Sequence, residues 1–256
     1  MRAILIGAAA LGVLGTVLPA QGALAAELVV LSAGAAKSAV QPLVESFEKA
    51  SGHKVKVSFG TMGLIQEKLG KGEHADVLIV SAEVAQELAK KHAVVESSVK
   101  PLAKVGIGVA VNEKTATLPD ISTPEAFKQT LLNAKSIVYI DPARGTSGKY
   151  LATLFDKLGV TAQVNAKARL GEGGNIVEPV GRGEVELGLH QISEILPVKG
   201  VKLVGPLPEA LQKWTVYSAA ITPHSAAPKE AQELIAYLSG AQAKPVYSAK
   251  GFAAAD

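Results

Sequence analysis

Apolar positions recur along the chain in two spacings, one typical of buried strands and one typical of amphipathic helices. Residues 28–32 form a continuous, mainly apolar run that ends at Ala33-Gly34, which predicts a buried strand. Four apolar residues then follow at the i, i+3, i+4, i+7 spacing of a single helix face: Val40, Leu43, Val44 and Phe47. Alternation of strands and helices predicts a parallel sheet covered by helices.

The same two spacings continue to the end of the chain and divide it into two α/β units. In the first unit, strands are predicted at 28–32, 55–59 and 77–80, and helices at 40–51, 64–69 and 83–91. In the remainder, strands are predicted at 105–111, 137–140, 187–190, 201–204 and 216–221. Helices are predicted there at 124–133, 148–158, 175–182, 229–238 and 241–250.

Two extended segments, near 105–111 and near 215–221, are predicted to carry the chain between two lobes. We expect residues 27–107 together with 219–256 to form the first lobe, and residues 108–218 to form an inserted second lobe. The predicted fold class is α/β, with two lobes that each contain a mostly parallel sheet flanked by helices. Ligands of such sheets bind beyond the carboxyl ends of the strands.

The amino-terminal segment has the pattern of an export signal. Arg2 is the only charged residue before Glu27, an apolar stretch runs from 3 to about 19, and Ala23-Leu24-Ala25 has the small-x-small pattern of a cleavage site. A transmembrane anchor is the alternative, but the segment is short and is interrupted by Gly and Pro. We predict a cleaved signal peptide at 1–25 and a periplasmic location. Loss of Arg2 lowers the formal net charge from +3 to +2.

Composition narrows the classes of function. Apolar residues make up 48% and charged residues 19%, which is typical of a globular protein. Because Cys is absent, disulfides, thiolate metal sites, Fe–S clusters and Cys nucleophiles are excluded. The five His are scattered without the spacing of a helical metal motif, and the small net charge does not favour nucleic acid. We expect no metal, no cofactor and no nucleic-acid partner.

Small polar residues stand at four predicted helix starts, two in each predicted lobe. These places are 32–35, 60–63, 145–148 and 171–175. A helix N-terminus carries unpaired N–H groups and a positive partial charge, so it can bind an anion. Ordinary capping is the alternative explanation of each one, because the same residue types are preferred at any helix start. Four together favour a shared anion pocket.

A few further side chains are candidates for that pocket. Arg144 precedes the third helix start, where its guanidinium could bind a carboxylate in a forked contact or could simply be solvated. His190 and Gln191 follow the strand at 187–190, and Gln191 is the better candidate because it lies one residue further out. Catalytic motifs are poor: no Ser lies in a GxSxG elbow, and nothing in the sequence pairs the carboxylates of Asp76, Asp141 and Glu172.

Several short segments, taken in order, resemble a known family. They are Leu-Val-Val-Leu-Ser-Ala-Gly at 28–34, Phe-Glu-Lys-Ala-Ser-Gly-His-Lys-Val at 47–55, Phe-Gly-Thr-Met-Gly at 59–63, Ala-Asp-Val-Leu-Ile at 75–79, Asp141-Pro142, Gly148-x-Tyr150, Gly-Glu-Val-Glu-Leu-Gly at 183–188 and Gly251-Phe252. This set is similar to the periplasmic molybdate-binding-like solute-binding proteins of ABC importers. The resemblance implies a type II periplasmic-binding fold that closes on its ligand like a hinge, and an inner-membrane ABC permease as partner.

The chain departs from that family at the positions that bind the oxyanion. Ala35 stands where the resemblance implies a Ser, Thr61-Met62-Gly63 replaces Ser-Ser-Gly, and Gln191 replaces a Tyr. Thr146-Ser147-Gly148 replaces Pro-Ala-Gly, with Arg144 added. Because hydroxyl donors are lost while a charge is gained, the departures favour a small organic carboxylate over molybdate.

The expected function is capture of a small anionic ligand by a monomeric, non-enzymatic solute-binding protein. Molybdate or tungstate is the alternative ligand, and an exported hydrolase or transferase or a sensor without a permease is the alternative function. The expected ligand-binding residues are Ser32, Gly34, Ala35, Thr61, Met62, Arg144, Thr146, Ser147, Asn175 and Gln191.

Overall fold

The computed structural model describes residues 25–255. Residues 1–24 of the predicted signal peptide, and Asp256, lie outside the described residues. The strands are β1 Glu27–Ala33, β2 Lys54–Gly60, β3 Val77–Ser81, β4 Lys100–Val105, β5 Ile107–Asn112, β6 Ile137–Ile140, β7 Ala168–Gly171, β8 Leu187–Gln191, β9 Val201–Pro206 and β10 Thr215–Ile221. The helices are α1 Lys37–Ser51, α2 Met62–Gly70, α3 Ala82–Lys90, α4 Pro124–Asn133, α5 Thr146–Leu158, α6 Thr161–Asn165, α7 Glu178–Gly181, α8 Ile192–Ile195, α9 Pro228–Ser239 and α10 Lys244–Ala249.

The first sheet has the strand order β2-β1-β3-β10-β4. β1 runs parallel to β2 and β3, whereas β10 is antiparallel to β3 and β4. The apolar face of α1 is buried, as its spacing predicts, and α1 packs beside α9. We call this sheet with α1–α3, α9 and α10 the first lobe.

The second sheet has the order β7-β6-β8-β5-β9. β6 runs parallel to β7 and β8, whereas β5 is antiparallel to β8 and β9. Its core includes Phe127 and Leu131 from α4 and Leu151 and Phe155 from α5. We call this sheet with α4–α8 the second lobe.

The predicted two-lobed α/β fold is confirmed, and the structure refines the description of its sheets. Each sheet is mixed, because the strands next to the two crossings, β4 and β5 on one path and β9 and β10 on the other, enter antiparallel pairings. Parallel pairing is confined to the strands connected by helices within each lobe. The exact lobe boundaries stay a prediction.

The single long strand predicted at 105–111 is wrong. Gly106 separates β4 from β5, and the two strands belong to different sheets. β4 is an edge strand that contains Pro101, and a proline within a polar stretch gives little strand signal.

The helix predicted at 175–182 is also wrong, because only the single turn Glu178–Gly181 is helical. Gly173 and Gly174 before it have φ angles of +140° and +67°, which are not helical. Pro179 follows, where it offers no N–H to a longer helix. The short strand β7 and the short helix α6 were not predicted, because neither is long enough to show a clear period.

One side chain joins the two crossing segments. The Oε1 atom of Gln212 accepts from the Ile107 N–H at 2.9 Å, and its Nε2 atom donates to the Ile107 carbonyl oxygen at 2.9 Å. Gln212 lies between β9 and β10, so its amide pairs with the first residue of β5 as a neighbouring strand would. The two paths between the lobes are therefore tied together.

Asp76 is the buried carboxylate that joins three parts of the first lobe. It accepts from the Val29 N–H at 2.8 Å, from the Ser225 hydroxyl at 2.8 Å and from the Ala226 N–H at 2.9 Å. Burial raises the pKa of Asp76, but these three donors and the nearby His74 outweigh burial, so the pKa lies below its ordinary value. Asp76 therefore serves the fold, as its place at a strand start suggests.

Candidate functional site

The two lobes are joined by hydrogen bonds from both backbone and side chains. The Gly63 N–H donates to the Arg144 carbonyl oxygen at 3.4 Å. The Ser193 hydroxyl donates to the Ala35 carbonyl oxygen at 2.7 Å. We use "the cleft" for the region bordered by Gly34, Ala35, Thr61, Gly63 and Tyr217 of the first lobe and by Arg144, Thr146, Gly173, Gln191 and Glu194 of the second.

Two polar contacts cross the floor of the cleft. The Gln191 Nε2 atom donates to Thr215 Oγ1 at 3.3 Å, and the hydroxyls of Thr146 and Tyr217 are hydrogen-bonded. Gln191 is buried, and its Oε1 atom has no hydrogen-bond partner among the described residues. A buried acceptor without a partner is costly, so this atom is suited to a donor from a bound molecule.

The helices α2 and α5 both begin at the cleft, but their starts differ. The Thr61 hydroxyl accepts from the Leu64 N–H at 3.2 Å, which is ordinary capping of α2. Gly145 gives α5 no side-chain cap, so the first turn of α5 keeps N–H groups that a ligand could use. Gly148 lets that turn press against β6, because a Cβ atom there would lie 2.1 Å from the Ile140 carbonyl oxygen.

A histidine and a glutamate lie together at the bottom of the cleft. The Nε2 atom of His190 is 3.2 Å from Oε2 of Glu194, and their side chains are only 1% and 14% exposed. Neither ring nitrogen of His190 makes a hydrogen bond of good geometry among the described residues. The other Glu194 oxygen faces the first lobe, since a Cβ atom added to Gly34 would lie 3.4 Å from Oε1.

The neighbouring phenol of Tyr217 is buried and stays neutral. Burial raises the pKa of Tyr217, and the negative charge of Glu194 raises it further, against the opposing effect of the Thr146 hydroxyl. Glu194, His190 and Tyr217 therefore bring a carboxylate, an imidazole and a neutral phenol together in the cleft.

The comparisons with known proteins agree with this architecture. The sequence model of the bacterial extracellular solute-binding proteins matches residues 28–253. The chain belongs to this family. The resemblance of this solute-binding protein to molybdate-binding-like members is confirmed by a molybdate-binding relative and a solved molybdate-binding structure.

The relatives differ in what they are named for. An aconitate isomerase of Pseudomonas sp is 35% identical over 222 residues, covering 84% of this chain and 83% of the relative. The molybdate-binding protein of Escherichia coli (strain K12) is 26% identical over 229 residues, covering 88% of each chain. The solved periplasmic molybdate-binding protein of Azotobacter vinelandii superposes with a TM-score of 0.74 at 18% identity, covering 88% of this chain and 98% of that one.

Six of the predicted site residues border the cleft: Gly34, Ala35, Thr61, Arg144, Thr146 and Gln191. Arg144 is half-exposed at the rim, where its Nη2 atom is 3.7 Å from Oε1 of Glu172. This contact is long, and both side chains are more than half exposed. Whether these six residues bind a ligand stays a prediction.

The other four predicted residues have different surroundings. The buried Ser32 hydroxyl donates to the Ala33 carbonyl oxygen at 3.3 Å. Met62 is packed in the core of the first lobe, and Ser147 is buried in the first turn of α5. Asn175 is exposed and donates to Glu178 at 2.9 Å, while its loop neighbour Gly173 is the residue that approaches Thr61.

Two residues that border the cleft, Tyr217 and Glu194, lie outside every predicted site segment, and Glu194 is the charged one. It lies in the single-turn helix α8 directly after β8, and its only sequence signal is its place four residues after His190. Within residues 25–255, no group of three or more His, Asp or Glu is arranged to hold a metal ion. Over the same residues, no helix has the length and apolar character needed to cross a bilayer.

Proposed function

We propose that this solute-binding protein is exported and captures a small organic polycarboxylate in the cleft, for delivery to an ABC permease. The observation that carries the proposal is the rim position of Arg144, whose backbone already touches Gly63 across the cleft. A guanidinium binds a carboxylate through two parallel hydrogen bonds, and the start of α5 adds neutral donors. The relative named aconitate isomerase supports a tricarboxylate, because aconitate carries three carboxylates.

A tetrahedral oxyanion fits the same residues less well. Such an ion needs a closed set of neutral hydroxyl and N–H donors around it. Ala35 and Met62 offer no side-chain donor and belong to the apolar core of the first lobe. The Thr61 hydroxyl accepts from Leu64 as the cap of α2 and keeps its own O–H to donate, but one such hydroxyl does not make a closed set of donors for molybdate.

A second candidate function is isomerisation of the bound carboxylate by proton transfer. A site that only binds anions gains nothing from a buried carboxylate, because Glu194 would repel the ligand. A carboxylate beside an imidazole in a cleft is instead a common arrangement for proton transfer. The pair of His190 and Glu194, together with the isomerase named among the relatives, favours this second function.

Thermal shift of the mature chain tests which ligand binds. We would screen cis- and trans-aconitate, citrate, tricarballylate, molybdate, tungstate and sulfate. A ligand at about one hundred times its Kd stabilises the native state by about 2.7 kcal/mol, which raises the Tm of a chain of this size by about 5–10 °C. A shift with tricarboxylates and none with molybdate supports the proposal. A shift with molybdate alone contradicts it and returns the oxyanion to first place.

A further inference from the structure

We propose that Glu194 is the proton-transfer group of the cleft, that His190 holds it and shares its proton, and that the pair acts on a C–H bond next to a carbon–carbon double bond in an unsaturated polycarboxylate. This inference rests on the second function proposed above and assigns residues to it. Asp76 joins parts of the first lobe through its hydrogen bonds. Glu194, by contrast, makes no hydrogen bond to the start of a strand or helix among the described residues, and its carboxylate faces His190 instead.

The position of Glu194 gives its two oxygens different neighbours. Oε2 lies 3.2 Å from the His190 Nε2 atom, inside the second lobe. Oε1 faces Gly34 of the first lobe, where a Cβ atom would lie in ordinary contact with it at 3.4 Å. A molecule held between the lobes would therefore contact Oε1 of Glu194, while Oε2 stays beside the His190 ring.

The surroundings favour proton transfer over a permanent ion pair. Glu194 is 14% exposed, while His190 is almost completely enclosed. The neighbouring Tyr217 is held neutral, and the Oε1 acceptor of Gln191 is left without a partner. A buried ion pair contributes little net stability, so these two groups are poorly explained as a structural device alone.

The reaction is balanced without any further reagent. Glu194 takes a proton from the CH₂ carbon next to the double bond, and the electron pair of the broken C–H bond moves into the adjacent carbon–carbon bond. The electrons of the former double bond move to its far carbon, which takes up a proton from the Glu194–His190 pair. One C–H bond breaks and one forms. In aconitate each of the three carbons of this system carries a carboxylate, so the product is again aconitate, and the geometry of its new double bond is set by the rotation about the CH₂–C bond at the moment of proton abstraction.

The experiment follows trans-aconitate in D₂O with the full mature chain. Proton NMR measures both the formation of the cis isomer and the loss of proton signal from the CH₂ carbon, and calorimetry measures affinity separately. We expect Glu194→Gln to lower kcat and carbon exchange by about 10²- to 10⁴-fold, the usual contribution of a general base. Its affinity for aconitate should be kept or increased, because a like charge is removed.

Three further variants separate a chemical role from a structural one. Glu194→Asp keeps the carboxylate on a shorter side chain and should recover part of the lost kcat. His190→Gln should lower kcat with little effect on KM, as expected of a positioning residue. Glu125→Gln, on the exposed first turn of α4, removes the same charge from the second lobe and should leave the rate unchanged.

The outcomes distinguish failure of the inference from failure of the proposed function. The assignment is overturned if Glu194→Gln exchanges the CH₂ proton of aconitate as fast as the wild type. It is also overturned if the wild-type protein binds aconitate without exchanging that proton. Either result leaves carboxylate capture in place. Absence of binding by every polycarboxylate overturns the proposed function and the assignment together. If Glu194→Gln does not fold, Glu194→Asp decides: a lower kcat at wild-type affinity supports the assignment, and an unchanged kcat overturns it.

Discussion

The contact between Gly173 and Thr61 lets closure of the cleft be tested without changing Arg144 or Glu194, the residues on which the proposals rest. Gly173 is in the second lobe and has a φ of +140°, a conformation that other residues rarely adopt. A Cβ atom built on it would lie 2.7 Å from Cγ2 of Thr61, in the first lobe. Gly173→Ala therefore places one methyl group directly between the lobes.

The expected size of the effect follows from that distance. Ordinary contacts between carbon atoms begin near 3.5 Å, so the lobes must separate locally or the loop must shift. Inserting a methyl into a tight contact costs about 1–3 kcal/mol. If ligand binding requires the closed cleft, that cost appears in the affinity, which should fall by about fivefold to about one hundred and fifty-fold.

Isothermal calorimetry with the best ligand measures this change, and a double variant tests its cause. Thr61→Ser removes Cγ2 but keeps the hydroxyl that accepts from Leu64. It should restore most of the affinity in the Gly173→Ala background. Gly174→Ala is the control for an added methyl in the same loop, since no atom lies within 4 Å of its Cβ, while the Thr61→Ser rescue separates the contact from the greater backbone strain at Gly173.

The reasoning would be refuted by either of two results. Affinity in Gly173→Ala that matches the Gly174→Ala control would mean that the contact does not limit closure. Failure of Thr61→Ser to rescue Gly173→Ala would mean that backbone strain in the loop, rather than the approach of the lobes, causes the loss.

Three further predictions concern single positions. Arg144→Ala should weaken binding of a carboxylate by about tenfold to one hundredfold, with partial recovery in Arg144→Lys, and calorimetry that finds no change would favour a neutral oxyanion site. Asp76→Asn should lower the free energy of unfolding by about 2–4 kcal/mol at pH 7 in urea titrations, and this difference from wild type should shrink below about pH 4. The pKa of Asp76 is lower in the folded than in the unfolded protein, so its ionised form stabilises the fold at pH values above the unfolded-state pKa. That stabilisation is lost as the pH falls through the folded-state pKa, and a difference that does not change with pH would contradict this prediction. Gly148→Ala should lower stability by about 3 kcal/mol, because its Cβ would meet the Ile140 carbonyl oxygen, whereas Gly70→Ala has open space and should be near neutral in the same melts.

The fold could be predicted wherever burial imposes a period on the sequence. α1 shows its buried face in the spacing of its apolar residues, and β6 and β8 read as short apolar runs. β7 and β4 are edge strands with mixed exposure, so no period marks them. The break at Gly106 was missed because β4 and β5 are continuous in sequence, and only pairing with different sheets separates them.

The site was predictable only where local chemistry repeats a known pattern. Thr61 and Thr146 were expected because each stands at a helix start, and both border the cleft. Glu194 was missed because its significance depends on Gly34, which is distant in the chain and near only after the two lobes meet. Asn175 was included on a helix that does not form.

The amide of Gln212 has a mechanical consequence for the two crossings between the lobes. Because it bonds to both backbone groups of Ile107, the two crossing segments must bend together, and a twist of one lobe about the long axis of the other would shear both bonds. Any relative motion of the lobes would thereby be reduced toward a single rotation. A receptor that recognises both lobes at once would then meet the same pair of outer surfaces, in the same alignment, each time the cleft shuts.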